Sequence, residues 1–199
     1  MNFAVLASGR GGNLKAIIDA RGNGKITADL KLVISDKKEA YALEHARQAG
    51  IPAVYINPKD FKDRAAFDLA IIERLQEFKI DFVVLAGYMR LLGSSFIQQY
   101  PNKILNIHPS LLPAFKGLHG IKDAFDYGVK ITGPTVHFVV EGVDEGPIIL
   151  QEPVNIEPHD TLESLEEKIH QAEHRIYPQA IELFVRGKLK VEGRRVIGL

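Results

Sequence analysis

The chain has 199 residues, 46% of them apolar, with 25 Lys and Arg against 25 Asp and Glu for a formal net charge of zero. That length suits one domain, 1–199, with a substantial core, and the charge balance argues against nucleic acid as the main partner while leaving room for a local cationic pocket. Cysteine is absent, which excludes disulfides and thiolate metal sites and fits a cytoplasmic protein; the N-terminal apolar run is too short for a signal peptide, and no stretch approaches the ~20 apolar residues of a membrane span.

NFAVLA (2–7) reads as a buried strand entering the glycine loop SGRGGN. Asn13 is placed to cap a helix through LKAIIDAR, where Leu14, Ile17 and Ile18 form an apolar stripe. ADLKLVIS (28–35) is a second strand, Lys38–Ala49 a helix stopped by Gly50 and Ile51–Pro52, and PAVYI (52–56) a third strand. Arg64–Lys79 has helical spacing, and DFVVLAG (81–87) and Lys103–Ile107 are further strands. Strands alternating with helices predict βαβ units and a mostly parallel sheet. The pattern changes at LLPAFKGLHG (111–120), a loop. TVHFVV (135–140) and IILQEPVNI (148–156) are strands whose short joint, EGVDEGP, predicts an antiparallel pair. A helix from about Thr161 to Val185 follows, capped by Asp160 or Thr161, then a hairpin over 189–197 with Glu192 and Gly193 at its turn. The expected fold is therefore α/β: a Rossmann-like, mostly parallel sheet flanked by helices, with antiparallel strands in the C-terminal half.

SGRGGN follows a strand and opens a helix, where backbone N–H groups and the helix dipole favour an anion. Three readings stand: a phosphate site, a dinucleotide fingerprint with Asp36 as the ribose acid, or a tight turn without a ligand. The third glycine of the dinucleotide pattern is missing, since Leu14 takes its place.

ILNIHPSLLP (104–113) sets two polar side chains into a buried strand. Asn106 and His108 are two residues apart, so they share a face, near the strand end where open parallel sheets hold ligands. Asp144 lies in EGVDEGP between Gly142 and Gly146. An amide and an imidazolium can both donate to a developing oxyanion, and a carboxylate beside the imidazole would raise its pKa. This is equipment for acyl transfer by direct attack of a substrate, with no protein nucleophile. The plainer alternatives are a hydrogen-bonded structural histidine and ordinary turn chemistry for Asp144. On these grounds His137 is an equal candidate, and the spacing of His108, His119 and His137 matches no metal motif.

ILNIHPSLLPAFKG, with VLASGRGGNLKAIIDA, VVLAGYMRLL, GPTVHFVVEGVDEGPIILQ and EHRIYPQAI in the same order, closely resembles the folate-dependent formyltransferase family over essentially the whole chain. The resemblance implies transfer of a formyl group from 10-formyltetrahydrofolate to the amine of 5-phosphoribosylglycinamide in purine biosynthesis. It implies Asn106, His108 and Asp144 as catalytic residues, the first two at the oxyanion and Asp144 keeping His108 charged and relaying the proton. Gly11, Gly12 and Asn13 match the loop that holds the ribonucleotide phosphate, Glu173 matches a residue at the glycinamide end, and His170 lies one turn before it. Arg64, Met89, Arg90, Leu91 and Leu92 match the folate side, with Asn106 and the backbone of Val139, Val140 and Glu141 along the pterin edge. No metal is implied. Gly12 departs from relatives that carry a hydroxyl there, and glycines 117 and 120 are candidate hinges for a lid carrying His119. Two relatives with similar motifs are kept apart by this reading: a methionyl-tRNA formyltransferase is expected to need a further tRNA-binding domain, and a formyltetrahydrofolate hydrolase a regulatory one. The expected partners are the two small substrates, with no nucleic acid or membrane, and a weak homodimer.

Overall fold

The computed structural model describes residues 1–198. Five strands, β1 (Asn2–Ala7), β2 (Asp29–Ser35), β3 (Ala53–Tyr55), β4 (Phe82–Leu85) and β5 (Ile104–His108), lie parallel in the order β3-β2-β1-β4-β5. They are linked by α1 (Gly12–Gly22), α2 (Tyr41–Gln48), α3 (Arg64–Glu77) and α4 (Ser94–Gln99). The strand order reverses between β1 and β4. There Ser8 N–H donates to Gly87 O at 3.0 Å, tying together the two loops that open the crevice. Ligands in open α/β sheets bind at such a point, outside the carboxyl ends of the strands.

After β5 the direction changes. α5 (Gly120–Tyr127) and a short β6 (Ile131–Thr132) precede β7 (Thr135–Phe138) and β8 (Ile148–Gln151). β7 pairs antiparallel with both β5 and β8. β9 (Val154–Asn155) leaves the main sheet to pair with β6. α6 (Leu162–Val185) then crosses back, and the hairpin of β10 (Lys190–Glu192) and β11 (Arg195–Ile197) extends the sheet to nine strands beside β8.

Both sheet faces are covered, which is why the central strands are apolar on both sides. On one face Phe3 and Val5 of β1 and Leu105 of β5 pack against Leu14 and Ile17 of α1 and Tyr177 and Ile181 of α6. On the other, Ala4 and Leu6 meet Phe67, Ile71 and Leu75 of α3 and Phe96 of α4. Thr161 caps α6 in a reciprocal box with Ser164. Tyr177, fully buried, donates its hydroxyl to Leu85 O at 2.7 Å and Leu105 O at 3.0 Å, which fixes α6 over the end of β4 and the adjacent first half of β5.

Several expectations need correction. Asn13 does not cap α1; Gly11 holds that position in the left-handed region, φ 78°, and a Cβ there would lie 2.9 Å from Ala42 Cα. α2 starts at Tyr41, not Lys38, because Ala40 is extended. β7 stops at Phe138, short of Val140. IILQEPVNI is two strands, since the chain leaves the ladder at Glu152–Pro153, where proline has no N–H to give. The last turn falls at Gly193–Arg194. α4, α5 and β6 were not anticipated.

Candidate active site

β5 carries Asn106 and His108 between a parallel and an antiparallel neighbour. Asn106 sits opposite His137, and its Nδ2 lies 3.1 Å from His137 Nε2. His137 Nδ1 is 2.8 Å from Phe138 O. Nδ1 donates to that carbonyl, so Nε2 is the ring nitrogen that faces both the Asn106 amide and Asp144. Asp144 closes the arrangement: its carboxylate is 3.4 Å from His108 Nδ1 and 3.6 Å from His137 Nε2, with 11% of the side chain exposed. Asn106, His137, Asp144 and His108 thus form one continuous polar chain, and the acid faces the ring rather than bulk water.

The loops that deliver these groups are bent to do so. Asp144 and Phe115 are non-glycine residues with positive φ, 52° and 51°. Such conformations persist where the surroundings hold them. Gly117 N–H donates to Asp144 Oδ2 at 2.9 Å, and His108 Nε2 donates to Phe115 O at 2.8 Å. Beneath them Ser110 Oγ donates to the carbonyls of Ala114 and Phe115, while Thr135 Oγ1 donates to Ser110 O at 2.7 Å and Gln151 Nε2 to Leu112 O at 3.0 Å. The 110–117 loop is therefore held by side chains from β7 and β8.

Burial lowers the His108 pKa below the ordinary histidine value; Asp144 and the Phe115 carbonyl push it upward but do not overcome the desolvation. The expectation that Asp144 raises this pKa is right for the pair and wrong for the sum. Burial likewise works to raise Asp144, yet His137, the Gly117 N–H and His108 outweigh it and hold the carboxyl below its usual range.

At the other end of the crevice, α1 begins at the glycine loop with no acidic residue in its first turn. Asn13 Nδ2 donates to Glu173 Oε2 at 2.9 Å, and Asn13 Oδ1 is buried without a partner. Glu173, one turn before Tyr177 on α6, is buried, and desolvation pushes its pKa up to about 7 despite the Asn13 bond. His174 Nε2 lies 3.2 Å from where a Cβ on Gly12 would stand, so an imidazole lies where a side chain at position 12 would point. Arg10, His170 and His174 line a cavity of about 370 Å³ beside this loop, along with Glu163, Glu166 and Glu167. Burial and Arg10 lower the His170 pKa; burial and His170 lower that of His174. A larger groove, about 860 Å³, runs between α1 and α6 past Lys25, Gln179 and Arg186, and none of Asn106, His108 and Asp144 lines it. Asp36, the candidate ribose acid, is only 5% exposed, and its Oδ1 is buried without a partner.

On the folate side of the expectation, Leu92 is buried and shares an apolar cluster with Leu85, Tyr88 and Val139, while Met89 and Leu91 are exposed. Arg64 donates to Leu92 O at 2.6 Å and lies 3.9 Å from Asp68, whose carboxylate accepts Gly93 N–H. Arg90 stacks over Phe67 at 5.2 Å. Val139 still donates to Ile104 O, whereas Val140 and Glu141 lie beyond β7. The reading of the sequence missed Phe115, Ser110, Thr135 and His174; only the polar residue within an apolar strand, Thr135, left a signal that alternation could have flagged. Among the described residues, no group of three or more His, Asp or Glu is placed to hold a metal, and no helix is long and apolar enough to cross a membrane.

Residues 1–181 match the Formyl transferase family. A phosphoribosylglycinamide formyltransferase of Bacillus subtilis is 47% identical over 180 residues, 90% of this chain and 92% of that protein. The trifunctional purine biosynthetic protein adenosine-3 of Bos taurus is 49% identical over 188 residues, 94% of this chain but 19% of that protein, so the chain spans about a fifth of the trifunctional relative. The crystal structure of glycinamide ribonucleotide transformylase 1 from Symbiobacterium toebii superposes with a TM-score of 0.98 at 52% identity, covering 100% of this chain and 94% of that one.

Proposed function

The chain belongs to the Formyl transferase family, and from that premise we propose that it moves a formyl group from 10-formyltetrahydrofolate to the amine of 5-phosphoribosylglycinamide in purine biosynthesis. The observation that carries this reading is the contact of Asp144 with His108, 3.4 Å apart at the end of a strand that also bears Asn106. The neutral amine attacks the formyl carbon directly. As the carbonyl oxygen becomes negative, the Asn106 amide and the His108 Nε2–H donate to it. In the structure Phe115 O accepts from that Nε2. An oxyanion is a stronger acceptor than a peptide carbonyl, so the exchange gains most when charge develops, which favours the transition state over the ground state. Asp144 stabilises the imidazolium against the desolvation it suffers, and takes part in passing the amine's proton to the folate N10, so that the oxyanion re-forms the carbonyl as the bond from the formyl carbon to N10 breaks and tetrahydrofolate leaves.

The acceptor lies with its phosphate on the N–H groups of Gly11, Gly12 and Asn13 at the start of α1, and with Glu173, and His170 one turn before it, at its glycinamide end. The folate lies along Arg64, Met89, Arg90, Leu91 and Leu92, its ring edge against Asn106, Val139, Val140 and Glu141. No metal takes part, neither nucleic acid nor membrane is a partner, the whole of 1–199 acts as one formyltransferase domain, and the reaction runs in the cytoplasm. A weak homodimer is the assembly this reading allows. The test is an absorbance assay of folate deformylation with the purified chain. Turnover that requires the ribonucleotide supports transfer; equal turnover without it means hydrolysis and sinks the proposal.

A further inference from the structure

We propose that the ion pair between Lys116 and Glu145 is a latch that seats Asp144 against His108, making Lys116 and Glu145 positioning residues for formyl transfer. The inference rests on the reading of Asp144 given above. Asp144 lies in a loop outside β7 and β8 with a left-handed backbone, φ 52°, so its placement depends on what grips the loop. Three contacts do so. Gly117 N–H donates to Asp144 Oδ2 at 2.9 Å, Lys116 Nζ meets Glu145 Oε1 at 2.8 Å, and Arg194 donates to Glu145 O at 3.1 Å. The first two join consecutive residues of one segment to consecutive residues of the other. The same segment carries Phe115, whose carbonyl holds His108 Nε2. Both sides of the imidazole are thus controlled by the spacing of residues 115–117 from 144–145.

Glu145 can fold back across its loop because position 142 is glycine: a Cβ there would lie 2.3 Å from Glu145 Oε2. Arg194 comes from the β10–β11 hairpin, beyond the residues that match the family, so part of the grip is supplied from outside the shared pattern. Lys116 and Glu145 are 37% and 52% exposed, and a pair so exposed adds little to global stability. Its consequence is local, on the geometry at His108, where small displacements are costly.

The test compares steady-state kinetics of Lys116→Met, Glu145→Gln, the charge-reversed double variant Lys116→Glu/Glu145→Lys, and Asp144→Asn as reference, with melting temperatures for each. Each single variant is expected to lose about fivefold in kcat, the scale on which a surface pair biases a loop, with KM for the ribonucleotide and Tm unchanged. The double variant is expected to regain most of the loss. Singles that keep or raise kcat while Asp144→Asn loses it overturn the latch and leave Asp144 in place. A double variant that recovers nothing, or a kcat loss that tracks a fall in Tm, overturns it too. Should Asp144→Asn itself keep full kcat, the reading of Asp144 falls and the latch with it.

Discussion

His108 has both ring nitrogens engaged, Nδ1 facing Asp144 and Nε2 on Phe115 O. Removing the ring removes a donor that acts as charge develops, so His108→Ala should lower kcat by on the order of 100- to 1,000-fold with KM for the ribonucleotide little changed. Steady-state assays at saturating folate check this; near-full turnover would assign the histidine to structure. Glu173 makes a different prediction, about pH. Its folded pKa, about 7, lies above the ordinary carboxylate value of 4.5, so the stability it contributes is full below about pH 4.5 and is lost as pH rises through 7. Over that window the ligand-free protein should lose about 3 kcal/mol relative to Glu173→Gln, which carries no such charge. Urea unfolding of both proteins at pH 5 and pH 8 measures the gap, and a gap independent of pH would mean that Glu173 ionises freely. Asn13 is the one side chain that lowers the Glu173 pKa. Asn13→Ala should therefore raise KM for the ribonucleotide while leaving kcat near its starting value, since it takes a polar group from the acceptor end and none from the reacting carbon.

Among the elements, α6 joins the two ends of the site. Its Glu173 reaches Asn13 at the start of α1, and one turn later its Tyr177 hydroxyl holds the carbonyls of Leu85 in β4 and Leu105 in β5. Tyr177→Phe leaves buried acceptors short of a donor and should cost about 1–3 kcal/mol, read as a lower urea midpoint with an unchanged slope. An unaltered midpoint would show that the carbonyls are satisfied without it. α6 was legible in the sequence because it is long, with Thr161 at its start and an apolar stripe through Leu165, Ile169 and Ala172. α4, with six residues, has too few turns for a period to show; α5, as long as α2, does carry one in Ile121, Ala124 and Phe125, but the Gly- and Pro-rich stretch before it reads as loop. β6 and β9, two residues each, exist only because they meet each other.

For the molecule as a whole, the sheet ends in two short edges, β3 and β10, three residues each, the second carrying Lys190 and Glu192. Short charged edges resist strand-to-strand pairing. Any homodimer is thus expected to be weak: sedimentation velocity at micromolar concentration should show a monomer, with association only as concentration rises. A dimer that persists on dilution would point to a large apolar interface instead. The large groove between α1 and α6 is lined by none of Asn106, His108 and Asp144, so the proposed chemistry lies apart from it, in the crevice at the ends of β1, β4 and β5.

By itself the sequence determined the parallel half of the sheet, the antiparallel return after β5, the long last helix and the family, because these rest on local periodicity and on contiguous motifs. It also pointed to Asn106 and His108, since polar side chains at alternate positions of an apolar strand have to face something. Only the tertiary structure decided that Asp144 meets His108 across 36 positions of chain, that His137 bridges Asn106 to that acid, that Asn13 faces Glu173 rather than capping its helix, and that burial outweighs Asp144 in setting the His108 pKa. Each depends on which groups are brought together and how much water is excluded around them, and neither quantity is a property of neighbouring residues in the chain.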